Sequence, residues 1–535
     1  MRILTTASIA AIVAVLAGPA AQAQEAANIS STELLMNFSQ LLNTPQGKAV
    51  LDANLATAIA TNNGATAEQR QQAIHDNTVA ALVASINNGQ IVADGLGQKL
   101  GDAFNSTNAI YSNYSATTFS PVYADLMVQL NMLAQSDSAF AKNFYANGSI
   151  DGNPAHPAVG ISLPADGQFN IYDKAYSPDP ANANTVGNSR PVQVAPASIQ
   201  SFTGTDYFGN TVNSSTIFPT LKSNAAFPSG HSTFGWITTT ALAIMVPERM
   251  QELLTRGSEY GNSRVVLGAH YPLDVIGARI MALQALTKMM NNDADYTSRG
   301  YKTFFGQPKT SAADIKALFA SATSDLRSML ATQCGSTVAD CAATSADDRF
   351  SDAAQNEADY TYRLTYGLPS TGDTTQDPVV PEGAEVLLST RFAYLDPEQR
   401  REVLATTELA SGAPLDDGSG WARLNLFKAS KGYGAFRDDV DVTMNVADGG
   451  FAASDVWSND ISGPGGLTKR GDGKLTLSGK NSYLGATHVE GGELAVTGSV
   501  AGDVAVAALA ELTGNGTIGG NVTVKGTIAP GTVLD

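Results

Sequence analysis

Near residue 440 the chain changes its pattern, and this change limits what it can fold into. Before it, apolar residues recur at helical spacing, as in 33–42, 80–86, 122–133 and 312–330. After it, the helical pattern gives way to Gly, Thr and Val. Residues 465–479 read as short alternating strands broken by glycine. Residues 491–498 and 519–526 each repeat a Gly-Gly-x-strand-Gly unit. Such units bury little alone and stack as a parallel β-solenoid. The expectation is a mostly α domain over 24–436, with a motif core at 183–290. A small all-β, parallel solenoid-like repeat region then follows over 437–535.

At 535 residues there is room for two or three domains and a large core. A net charge of −18 argues against a nucleic-acid partner, which needs basic surface. A site for small anions needs only a few local cations. Arg2, the apolar stretch 9–16 and Ala21-Gln22-Ala23 read as an export signal over residues 1–23. No later stretch reaches about 18 apolar residues, so no membrane span is expected in the mature chain. In an exported protein the two cysteines, Cys334 and Cys341, predict a local disulfide.

Within the helical part, three segments carry chemistry. Pro228-Ser229-Gly230-His231 precedes the apolar run 236–246. Ser229 can cap that helix, and His231 falls in its first turn. A helix start offers free N–H groups and a positive dipole end to an anion. Further on, Ser263-Arg264 precedes His270, Pro272 and Asp274. Pro272 suits a first helical turn, and Asp274 then lies one turn from His270. A carboxylate so placed fixes the imidazole tautomer, as a histidine nucleophile or base requires. It is equally the partner of an ordinary core histidine. Third, Arg190 precedes Pro191 in the loop-rich stretch 150–225. That position favours extended backbone, which can aim the guanidinium inward. Asp347-Asp348-Arg349 and Asp416-Asp417 read as solvated charge, and His75 as a solvated helix residue. Trp421, Leu424, Leu426 and Phe427 read as core.

Together these segments resemble the signature of the phosphatidic-acid phosphatase type 2 superfamily, K-x6-R-P, P-S-G-H and S-R-x5-H-x3-D. Stretch 227–279 is most similar to the soluble bacterial class A nonspecific acid phosphatases. The 437–535 region resembles the strand repeat of autotransporter passenger domains. The resemblance implies a helical bundle of the acid phosphatase/vanadium haloperoxidase type. It also implies an exported acid phosphatase that hydrolyses phosphate monoesters without a metal or other cofactor. His270 would attack phosphorus, Asp274 would orient it, and His231 would protonate the leaving alkoxide. Arg190 and Arg264 would clamp the phosphate, helped by Ser229 and the Gly230 N–H. One departure stands out: the family lysine falls on Ala183. Lys174 and Lys222 flank the motifs, and either can fold back to replace it, Lys222 being nearer the helix start. Two alternatives remain open here, a vanadium-dependent haloperoxidase-like enzyme and a surface passenger or adhesin with a decayed site. The expected location is the periplasm, the cell surface or the medium of a Gram-negative bacterium. The β-repeat offers a route to outer-membrane or cell-surface association.

Overall fold

A computed structural model describes residues 27–78, 89–107, 120–303 and 306–531. The export signal expected at 1–23 and the helical stretch expected at 80–86 lie outside these residues. Among the described residues, the helices that position the site and join it to the repeat region are α1 (Pro45–Gly64), α2 (Ala67–Asp76), α3 (Pro121–Asn147), α4 (Gly230–Met245), α5 (Met250–Val266), α6 (Pro272–Met290), α7 (Ile315–Cys334), α8 (Ala353–Thr365) and α9 (Pro397–Thr407). Their starts follow local chemistry. Thr44 and Ser120 cap α1 and α3 through Gly47 N–H and Tyr123 N–H, each with proline at the first helical position. Residues 36–43 form a 3-10 helix where α-helix is expected. Pro45 holds Thr44 extended, which stops the turn and leaves no room for a longer helix.

Helix α4 lies at the centre, against α3, α5 and α6. Every residue from Gly235 to Met245 is buried, so this helix is enclosed on all sides. Two glycines let α4 and α5 meet closely. A Cβ at Gly235 would collide with the Tyr260 ring, and one at Gly257 with Thr239. Buried arginines tie distant segments to this core. Arg249 meets Asp348 at 2.6 Å and Arg299 meets Asp137 at 2.9 Å. Asp348 is therefore a buried ion-pair partner rather than solvated charge, and Arg349 pairs with Asp94 and Glu259. The expected Cys334–Cys341 disulfide is present and closes the turn after α7. No described helix is long and apolar enough to cross a membrane.

Beyond residue 435 the chain winds into a parallel solenoid of three sheets, with five, five and three strands. Identical registers stack side chains into ladders. In one ladder Asp455, Leu475, Leu494, Leu512 and Ile528 are successive partners. The leucines are buried. The first rung is a carboxylate, and it meets Arg391 of the helical body at 2.7 Å. Trp457, also in the first turn, packs on Tyr433 with ring centroids 5.2 Å apart and donates to the Tyr394 hydroxyl. Trp421, Leu424, Leu426 and Phe427 are buried, and one continuous core runs from the helices into the solenoid.

Candidate active site

The site forms where the starts of α4 and α6 meet. Ser229 caps α4 by accepting from Ser232 N–H, and its own N–H donates to the Asp274 carbonyl at 3.0 Å. This places Gly230 and His231 in the first turn of α4, as the sequence predicts. At the start of α6, Asp274 is the third helical residue. One carboxylate oxygen accepts Tyr271 N–H at 2.9 Å, which satisfies a free donor of the helix end. The same oxygen lies 2.9 Å from Nδ1 of His270. Tyr172 Oη–H donates to the other oxygen at 2.6 Å.

Arg190 has extended backbone, with φ −87° and ψ 163°, and its guanidinium turns inward. It donates to Nε2 of His270 at 2.8 Å and to the carbonyls of Asn224, Ala225 and Ala269. Arginine carries only donors, so Nε2 of His270 accepts and the ring proton sits on Nδ1. His270 is thus held neutral, with its lone pair aimed away from Asp274. Arg264 enters from the end of α5. It donates to Asn77 at 2.6 Å, while its buried Nε has no partner among the described residues. Nε2 of His231 is likewise buried and unpartnered. Unpaired polar atoms in a buried pit are costly unless a ligand meets them. Ser263 has a structural role, donating to Asp76, which in turn pairs with Arg256.

Lys174 and Lys222 do not join this cluster. Both are exposed. Lys174 donates to Gln168 and Lys222 to the Ala181 carbonyl. Their loops run along the surface, and the two ammonium groups stay in water. The lysine that does reach the pit is Lys142, from the C-terminal part of α3. It is 8% exposed and donates to Oδ1 of Asn224 at 2.9 Å. Lys142, Asn224, Tyr172 and Asn77 are the site residues that motif reading misses.

Electrostatics follow from burial and this crowding of cations. Burial, then Arg190, Lys142, Arg264 and His231, hold His270 well below its ordinary value. Burial, then Arg264, Lys142 and Arg190, do the same to His231. Burial pushes the Asp274 carboxyl up to about 7, against the pull of Tyr172, Tyr271 N–H and Arg190. Arg190 is pushed down to about 9, chiefly by burial. Arg190, Arg264 and Lys142 thus converge on the two histidines, and their charge disfavours protonation of either imidazole.

Comparison with known proteins finds two family matches along the chain. Residues 181–293 match the PAP2 superfamily, and residues 467–496 match the passenger-associated-transport-repeat. The chain carries both units. Over 60 residues, 11% of this chain and 24% of the relative, it is 47% identical to a non-specific acid phosphatase of Salmonella typhimurium. Over 72 residues, 14% of this chain and 29% of the relative, it is 40% identical to a non-specific acid phosphatase of Providencia stuartii. Over 251 residues, 38% of this chain and 24% of the relative, it is 32% identical to an extracellular serine protease of Serratia marcescens. The matched stretches span less than a third of each of these relatives.

Proposed function

We propose that the helical body is a phosphomonoesterase of an exported protein, working through a phosphohistidine on His270. The observation that carries this reading is the charge of the pit. Arg190, Arg264 and Lys142 are buried together, and their hydrogen bonds go to neutral oxygens and an imidazole. The nearby carboxylate, Asp274, already serves His270, Tyr172 and Tyr271. A doubly charged phosphate supplies what the pit lacks.

The reaction then follows from the geometry. Arg190 releases Nε2 of His270 when it turns to the phosphate oxygens. The Nε2 lone pair forms the N–P bond as the P–O bond to the leaving group breaks. Asp274 steadies the proton on Nδ1 and the positive charge that His270 gains. His231, which takes up a proton when the bound dianion offsets the cations around it, gives that proton to the departing oxygen and then takes one from the water that attacks the phosphohistidine. That second step breaks the N–P bond and releases inorganic phosphate. Arginine and lysine side chains and the start of α4 offset the charge on the equatorial oxygens.

The acid phosphatase names of two relatives support this assignment, and the extracellular protease supports export. The test is phosphate release from an aryl phosphate by the purified protein with EDTA present, with acid-labile phosphate sought on His270. Absence of both release and labelled His270 would sink the reading.

A further inference from the structure

The position that aligns with the family lysine holds Ala183, yet the pit contains a buried ammonium. We propose that Lys142, carried by α3, is the third phosphate-binding cation of this site, so that a helix outside the motif segments completes the cradle. The proposal rests on the phosphate-transfer reading given above.

Three observations support it. First, Lys142 and Arg190 share one acceptor. Oδ1 of Asn224 takes Lys142 Nζ at 2.9 Å and the Arg190 guanidinium at 2.8 Å. Two cations converging on one amide oxygen are set to converge on one oxygen of a substrate. Asn224 itself is exposed, so this acceptor stands at the solvent edge of the pit.

Second, Lys142 belongs to a polar stripe on α3 that faces the motif residues. Asn131, Gln135, Ser138 and Lys142 follow helical spacing along one face. Asn131 bonds Thr238 of α4 at 3.1 Å. Gln135 lies against the start of α4, where a Cβ on Gly230 would stand 2.8 Å from its amide nitrogen. Oε1 of Gln135 and Oγ of Ser138 are buried and have no partner among the described residues. The stripe thus lines the pit with unused hydrogen-bonding capacity.

Third, the placement is costly for a cation whose described partner is neutral. A buried ammonium needs strong partners, and its described hydrogen bond goes to a neutral amide. Burial and the nearby Arg190 both depress its basicity, while Asp274 opposes them. An anion between Lys142, Arg190 and Arg264 reverses that penalty.

The experiment compares Lys142→Met, Lys142→Gln and Lys142→Arg with wild type in the full chain. Lys174→Met and Lys222→Met serve as exposed controls. Three quantities are read: kcat/KM on an aryl phosphate, binding of inorganic phosphate by calorimetry, and Tm. Loss of the charge is expected to weaken phosphate binding and kcat/KM roughly ten- to a hundred-fold. Tm should hold or rise, because a buried charge is removed. Lys142→Arg should recover part of the binding, and both controls should match wild type. Lys142→Gln keeps a hydrogen bond for Asn224 without charge, and it decides the matter if Lys142→Met does not fold. Wild-type phosphate affinity in a folded, uncharged variant overturns the proposal. So does impairment of Lys174→Met or Lys222→Met in place of the Lys142 variants. If wild type binds phosphate through Lys142 but hydrolyses no ester, the phosphatase reading fails and the cradle stands.

Discussion

At the scale of single residues, the two histidines have separable duties. His270 faces Asp274 and Arg190, while His231 stands at the start of α4. His270→Ala should abolish turnover on every ester. His231→Ala should hurt alkyl phosphates far more than aryl phosphates, whose leaving groups need little protonation. Equal losses on both classes would refute this division. A second expectation concerns protons. His231 is depressed, first by burial and then by Arg264, Lys142 and Arg190. A bound dianion offsets those cations and raises the imidazole again, so binding should take up protons and tighten as pH falls toward the ordinary histidine value of about 6.5. Sulfate, which stays a dianion there, is the probe. Calorimetry in two buffers of different ionisation enthalpy should show uptake, reduced in His231→Asn, and no uptake would refute it. Much of this site is legible in the sequence because its key relations are local. Ser229 caps three residues ahead, and His270 meets Asp274 one turn on. Lys142, Tyr172 and Asn77 are not legible, because each reaches the motifs from a distant part of the chain. Only the helical spacing of a polar stripe along α3 hints at Lys142.

At the scale of elements, the crossing of α4 and α5 sets the depth of the pit. Gly235 and Gly257 allow the two helices to approach, and His231 and Arg264 lie at the same end of that contact. Gly257→Val should force the helices apart and cost about 1–3 kcal/mol of stability, as overpacking does. Thermal unfolding of the variant checks this, and an unchanged Tm would count against close packing here. Activity should fall as well, because Arg264 moves with α5. Helix positions are readable because apolar spacing and Ser/Thr-Pro starts are local signals. The 36–43 segment departs from its pattern because Pro45 and tertiary packing of Phe38 on Phe227, with ring centroids 3.7 Å apart, override it.

At the scale of the whole molecule, the helical body and the solenoid share one core although the sequence changes sharply between them. The repeat pattern shows that strands stack. It does not show that Asp455 would replace a leucine in the ladder to meet Arg391. Nor does it show that Trp457 would seat on Tyr433 and Phe436. A chain ending at Phe436 loses Trp457 and should be less stable by about 3–5 kcal/mol, the usual effect of removing a large buried ring. A chain ending at Gly485 keeps that ring and the following turn, and should unfold near the full-length temperature. Both should retain kcat/KM at low temperature, since the site residues precede both cuts. Equal unfolding temperatures for the two truncations would show that the junction contributes little. The stacked ladder also determines how the molecule bears tension. Each turn grips only its neighbours. The rung pinned by Arg391, which holds the helical body as well as its stacked neighbour, should therefore be the last of the described turns to yield. Tension carried along the described turns should then open the stack one turn at a time before the strain reaches Arg190 or His270.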